Sequence, residues 1–397
     1  MLLLVHMSTY EVIVIGLGAM GSATTYQLAK SGVKVLGLDQ YSPPHSFGSS
    51  HGDTRITRLA IGEGADYVPL VKRSHEIWRE IEAQTGIELL KQTGGLIMAV
   101  DGSQGQHGVA DFVEQTEKAA IQYGIEHENL SKDQINSRFP QFNLTNEHGY
   151  YEPESGYLMP ENCIKAQLTL AEKHGADLNT DERVMSWDSV DNQVTVVTSA
   201  GTYAAKKLVI SAGSWINDLF QDHESWFKVY RQVLYWFDIE DRQRYWAFRD
   251  MPVYIWLYGT AEGNLMYGFP AIDGPNGGIK LAAEQYATAT SPHEVVREVS
   301  EQEIDEMYEQ TVKGKFPGIG RKCIKAKACM YTVTPDHRFV IDFHPEHRNV
   351  IIASPCSGHG YKHSAAIGEV LSQLATTGKS PIDISRFSIQ RLKKDAA

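Results

Sequence analysis

The sequence predicts a mixed α/β protein with two sheet-bearing domains, one built on parallel strands and the other mainly antiparallel. Three observations carry that expectation. Over residues 11–39 an apolar run, a glycine-rich turn, a helical stretch and a second apolar run follow one another, the order of a βαβ unit. A β-branched run leading into a helical pattern recurs over residues 350–375. Between them, residues 229–329 carry alternating strands dense in aromatics, among them Tyr235, Trp236, Tyr254, Trp256, Tyr267 and Phe269. Such alternation marks antiparallel sheet with one packed face.

The first unit has the chemistry of a dinucleotide site. Glu11–Ile15 reads EVIVI, a buried parallel strand, and Gly16-Leu17-Gly18-Ala19-Met20-Gly21 follows at once. Gly16 permits the tight turn, Gly18 lets backbone N–H groups approach a pyrophosphate, and Gly21 allows the helix to pack closely on the strand. The second strand, residues 34–38, ends in Asp39, placed to accept hydrogen bonds from ribose hydroxyls. A Rossmann-type domain follows from strand, helix and acid in register. The motif leaves FAD and NAD open. The next loop, SPPHSFGSSHGDTRITR (residues 42–58), is irregular and rich in donors, and reads as a cofactor-contacting loop.

Downstream, the pattern predicts a helix over 67–85, a strand over 94–100 and a helix over 109–123. A helix over 162–174 precedes short strands at 193–198 and 203–204, then a buried strand at 208–210 that ends on Ser211, Ala212 and Gly213. Small residues there let backbone approach a ligand again. A helix over 301–313 interrupts the antiparallel region, and residues 350–353 run through a glycine turn into a helix whose N-terminus offers donors to an anionic partner. These elements divide into a discontinuous nucleotide-binding domain, residues 1–91, 152–224 and 333–397, and a substrate domain, residues 92–151 and 225–332.

Charge and composition narrow the class. The 397 residues carry a formal net charge of −12 and 42% apolar content, so the chain is globular and lacks the Lys and Arg density of a phosphate-backbone binder. No apolar run approaches the ~20 residues that cross a bilayer, and the opening MLLLVH lacks the charged n-region and long h-region of a secretory signal. The expectation is a cytoplasmic protein without nucleic-acid or membrane partners, whose start can be Met1 or Met7. Cys163, Cys323, Cys329 and Cys356 form no CxxC pair, and no His cluster has zinc spacing, so neither a disulfide framework nor a metal site is expected.

Four segments taken together resemble the monomeric sarcosine oxidase family of FAD-dependent amine oxidases, which includes N-methyltryptophan and pipecolate oxidases. They are VIGLGAMG (14–21), PPHSFGSSHGDTRITR (43–58), KACMYTVTPD (327–336) and CSGHGYK (356–362). The resemblance implies a monomer holding FAD covalently through Cys329. It also implies oxidation of an N-methyl or other secondary-amine amino acid to an imine, with oxygen reduced to hydrogen peroxide and the imine hydrolysed to an aldehyde. A thiol reacts as thiolate, and Lys325 and Lys327 in the preceding strand are expected to favour that form.

Carried onto this sequence, the family's positions put Arg58 and Lys362 on the substrate carboxylate, where two cations make charge-assisted hydrogen bonds. They put His51 and Arg55 beside the flavin ring with Thr54 between them, and Lys280 at the N5 edge, where a cation favours reduction of oxygen. Tyr267 and Tyr331 fall around the substrate, and Gly358, His359 and Gly360 in the turn facing the cofactor. A strand reading of GGIKLAAEQY places Lys280, Ala282 and Glu284 on one face. Glu284 stands where sarcosine oxidase has a histidine. An ionised carboxylate only accepts hydrogen bonds, so the substrate side chain stays open, and YIWLYG (254–259) leaves room for an aromatic one. Also open are a pipecolate-type cyclic amino acid oxidase, a flavin dehydrogenase with an acceptor other than oxygen, a nicotinamide-dependent dehydrogenase, and a flavin-binding protein without turnover.

Overall fold

The computed structural model describes residues 9–220 and 226–393; the two candidate starts, Met1 and Met7, lie outside them. Strand Thr9–Ile15 is the centre of an eight-stranded sheet. Residues 12–15 are buried on both faces, which requires cover on both sides of the sheet. The strand pairs in parallel with Val35–Leu38 on one side and Thr202–Ile210 on the other, and Leu208 to Ile210 pair in parallel with Val350 to Ile352. Helix Ala19–Lys30 packs against helices Pro160–Lys173 and Ser364–Thr377. Gly16, Asp39, Ser211 and Pro355 all follow carboxyl ends of parallel strands, the edge at which open α/β sheets bind ligands.

The second sheet has nine strands and is antiparallel except where Gly95–Ala99 meets Val253–Leu257. Its longest ladder joins Lys228–Ile239 to Ile319–Val333, with Tyr230 opposite Tyr331 and Gln232 opposite Cys329. Alternation sorts the side chains. Tyr235, Phe237 and Ile239 enter a core shared with Met307, while Leu234 and Trp236 pack with Ala282 and Cys329 on the opposite face. A third sheet of three short strands pairs Arg55–Thr57 and Leu90–Gln92 with Gly156–Leu158.

This is the mixed α/β architecture expected, with local departures. The strands expected separately at 203–204 and 208–210 are one strand, Thr202–Ile210, because its neighbours pair along it without a break across Lys206 and Lys207. An unexpected strand, Val184–Val190, pairs with Gln193–Thr198 through the turn Asp191-Asn192. Both turn residues take positive φ (50° and 61°), the conformation of a tight hairpin. Its apolar residues, Val184, Met185, Trp187 and Val190, follow no strict alternation, and Met185 and Val190 are exposed. The helix expected over 301–313 is α-helical only over Glu301–Met307 and continues as a π-turn over Tyr308–Val312.

Candidate active site

A cleft starts where the first strand ends. Gly16 takes φ +86°, which glycine tolerates, and a Cβ on Gly21 would lie 1.6 Å from the Gly16 carbonyl oxygen. Helix Ala19–Lys30 therefore begins hard against the strand, its free N–H groups beside a cleft lined by Gly16, Gly18, Asp39, Ser50, Gly358 and Gly360. Asp39 is buried, with Oδ2 accepting from the Leu17 N–H (2.7 Å) and Oδ1 from the Tyr41 N–H (2.9 Å). It pins the glycine turn besides lining the cleft, a duty additional to the ribose contact expected from sequence. We expect Gly21→Val to purify without flavin, since any side chain there must displace the turn. The flavin-to-protein absorbance ratio checks this, with circular dichroism separating loss of cofactor from loss of fold.

Loop residues 49–55 form the wall beyond. Arg55 donates through Nη2 to the Ser49 carbonyl (2.7 Å) and through Nη1 to the Thr54 carbonyl (2.8 Å), and Nη2 lies 3.7 Å from Cys329 Sγ. Cys329 is buried. The two lysines expected at the thiol are elsewhere. Lys325 Nζ is paired with Asp53 Oδ2 at 2.6 Å, and Lys327 is exposed; a nearer carboxylate takes one and water the other. The cation beside Cys329 is Arg55.

Lys280 is buried over the Phe269 ring (4.4 Å) and donates to the carbonyl oxygens of Gly52 (2.6 Å) and Thr54 (2.7 Å) and to Thr54 Oγ1 (3.1 Å). Burial, and then the Arg55 guanidinium, push it well below the usual lysine range. His51 is also buried. Burial first, then Arg55 and Lys280, lower its pKa to about 3, so the ring is neutral. Among the described residues its Nε2 has no hydrogen-bond partner. Of residues 49–55, Ser49, Ser50 and Arg55 line the cleft; His51 and Thr54 do not, nor do Lys280 and Cys329.

A smaller cavity shares Arg55, Tyr331, Gly358 and Tyr361 with the cleft. It brings together eight residues singled out from sequence: Arg55, Arg58, Tyr267, Glu284, Tyr331, Gly358, His359 and Lys362. Arg58 is 4% exposed and bonds Glu63 Oε2 (2.6 Å) and the Ala60 carbonyl (2.5 Å). Lys362 Nζ donates to the His359 carbonyl (2.7 Å); burial lowers its pKa to about 7 against the opposing pull of Glu63. The Tyr267 and Tyr331 hydroxyls are 3.1 Å apart. Burial acts to raise Glu63, but Arg58, Lys362 and His359 outweigh it and hold this carboxyl well below its usual range.

Glu284 is not on a strand with Lys280, contrary to the alternation expected. The strand is Ile279–Ala282. Beyond it the Gln232 side chain bonds both backbone groups of Gln285, accepting from its N–H (3.0 Å) and donating to its carbonyl (2.7 Å). A side-chain amide thus replaces the ladder and alternation ends. Glu284 Oε1 lies 3.2 Å from His107 Nε2, and Oε2 accepts from the Tyr286 hydroxyl (2.9 Å); His107 Nδ1 lies 3.1 Å from Glu63 Oε1. Glu63 and His107 were invisible in the sequence, lying in glycine-flanked turns (IGEGADY, GSQGQHGVA) that belong to no motif.

Residues 11–374 match the FAD dependent oxidoreductase family. The monomeric sarcosine oxidase of Bacillus sp. (strain NS-129) is 41% identical over 397 residues, covering 98% of this chain and 100% of that protein. The N-methyl-L-tryptophan oxidase of Yersinia pestis (strain Pestoides F) is 34% identical over 388 residues, 97% of this chain and 100% of that protein. Among solved structures, the open form of NikD, an amino acid oxidase essential for nikkomycin biosynthesis, shares the fold with a TM-score of 0.83 at 21% identity, covering 96% of this chain and 97% of that one. The chain belongs to the FAD dependent oxidoreductase family, in the group of the monomeric sarcosine and N-methyltryptophan oxidases. Among the described residues no helix is long and apolar enough to cross a membrane.

Proposed function

We propose that the protein oxidises the C–N bond of an N-methyl or other secondary-amine amino acid, passing the electrons to oxygen and giving an imine, then an aldehyde, and hydrogen peroxide. The shared wall carries this reading. Arg58 and Lys362 stand in a cavity whose lining residues Arg55, Tyr331 and Gly358 also line the cofactor cleft. A carboxylate seated on the two cations therefore lies next to the cofactor. FAD, when bound, supplies the acceptor for the hydride equivalent that leaves the substrate. The chain's own part is positioning: Arg58 and Lys362 orient the carboxylate, Tyr267 and Tyr331 bound the space beside it, and Ile56, Ile255 and Phe269 exclude water. A peroxide-coupled screen of N-methyl and cyclic amino acids tests the reading. Peroxide is expected with at least one of them and with no amine lacking a carboxylate. Flavin bleaching without peroxide under air redirects it to a dehydrogenase.

We assign FAD attachment to Cys329. Support comes from the match of its segment to the family's attachment motif and from the Arg55 guanidinium, which lines the cofactor cleft and lies 3.7 Å from the sulfur. Wild-type protein is expected to keep its flavin through acid precipitation and Cys329→Ser to release it. Free flavin recovered quantitatively from wild type removes the covalent link and leaves FAD dependence intact. We assign residues 1–91, 152–224 and 333–397 to the FAD-binding domain and 92–151 with 225–332 to the substrate domain; the eight-stranded and nine-stranded sheets draw their strands accordingly. The monomeric relatives support a monomer.

A further inference from the structure

His107 is a buried imidazole set between two buried carboxylates, and the reaction described above makes no use of it. Its loop takes positive φ at Gly105 (79°), His107 (50°) and Gly108 (76°), which turns the ring inward until the side chain is 2% exposed. One ring nitrogen is 3.1 Å from Glu63 and the other 3.2 Å from Glu284. A neutral imidazole donates from one nitrogen only, so a ring that donates to both carboxylates is the imidazolium. The remaining groups around it are the Tyr286 hydroxyl on Glu284, and His337 and His359, whose rings burial holds below the ordinary histidine range. Arg58, His107 and Lys362 thus face Glu63 and Glu284 across one cavity. Burial opposes a charge on His107, but Glu284 and Glu63 overcome it and raise the pKa to about 9. A carboxylate has about four acceptor positions; His107 and Tyr286 engage two at Glu284, which also lines the cavity.

We propose that His107 is a specificity-determining residue: its ring, set between Glu63 and Glu284, holds the Glu284 carboxylate facing the cavity, where Glu284 receives the N–H donors of a substrate amine bound in its protonated form. The inference rests on the secondary-amine reading above and deepens it. Without the His107 ring, the Tyr286 hydroxyl is what remains of these two contacts on Glu284, and the carboxylate is no longer held toward the amine.

The test compares an N-methyl amino acid with an ether acid that keeps the carboxylate and presents no N–H, such as sarcosine as substrate and methoxyacetate as competitive inhibitor of the holoenzyme. Asparagine tolerates left-handed backbone, so His107→Asn suits the loop. It is expected to raise KM for the amine about 10- to 100-fold, the size of one charged hydrogen bond. The inhibition constant of the ether acid is expected to stay within about threefold, under 0.7 kcal/mol, and kcat to fall less than KM rises. Glu284→Gln, which leaves the loop untouched, is expected to give the same split even if His107→Asn does not fold. Equal losses for amine and ether acid, or no loss for either, overturn the role of His107 and leave the reaction standing. Wild-type enzyme that oxidises no secondary-amine amino acid overturns the reaction itself.

Discussion

Lys280→Met holoenzyme, reduced by substrate and then mixed with oxygen, is expected to reoxidise on the order of 10²- to 10³-fold more slowly than wild type, the usual cost of removing one preorganised electrostatic group. The ammonium is preorganised here because all three of its hydrogens have acceptors, the carbonyls of Gly52 and Thr54 and the Thr54 hydroxyl. It has no rotation to freeze when negative charge develops on oxygen. Methionine conserves the length of the side chain and removes the charge. Reduction by substrate should fall much less, since Arg58 and Lys362 are untouched. Burial and Arg55 depress the lysine pKa, so the ammonium is present below that depressed value. The oxygen rate should be highest at the acid end and decline as pH rises through it. A rate constant for oxygen equal to the wild-type value would place oxygen reduction elsewhere and favour an acceptor other than oxygen.

Lys362→Gln should raise KM for any carboxylate-bearing substrate about 10- to 150-fold, since a charged hydrogen bond is worth roughly 1.5–3 kcal/mol. The flavin should stay bound. Arg58→Gln should do the same to KM and also destabilise the fold, because Glu63 loses its 2.6 Å partner and a buried carboxylate left short of cations is costly. The lysine carries a pH signature as well. With its pKa lowered to about 7 by burial, it is charged below pH 7 and loses its charge above. KM of the wild type should therefore rise as pH climbs through about 7, and that limb should vanish in Lys362→Gln. Unaltered KM in both variants removes the carboxylate assignment.

The parts of the site that could be read from the sequence are those in which chemistry is local. Gly16, Gly18 and Gly21 announce themselves because the turn demands missing side chains at fixed spacing, and a Cβ at Gly21 would meet backbone at 1.6 Å. Arg58, Cys329 and Lys362 sit in motifs. His107 could not be read, since its partners Glu63 and Glu284 lie 44 and 177 residues away in the chain, and Glu63, although five residues from Arg58, lies outside the motif that marks the arginine. The strand face assigned to Glu284 failed for a related reason: alternation holds only while a ladder lasts, and here a glutamine side chain ends it at residue 285. Strand Val184–Val190 could not be read because its apolar residues, Val184, Met185, Trp187 and Val190, do not alternate with period two.

The parallel pairing of Val209 with Ile351 sets the order in which the enzyme can come into being. At the ~5–20 residues per second of synthesis, the central strand emerges from the ribosome tens of seconds before the segment that completes its sheet. The turn at residues 358–360, one wall of the cleft, arrives later still. A nascent chain therefore presents an open sheet edge, the template on which strands of other chains add, and an unfinished cofactor cleft. The residues that line the cleft are all present only once the polypeptide has been made through Tyr361.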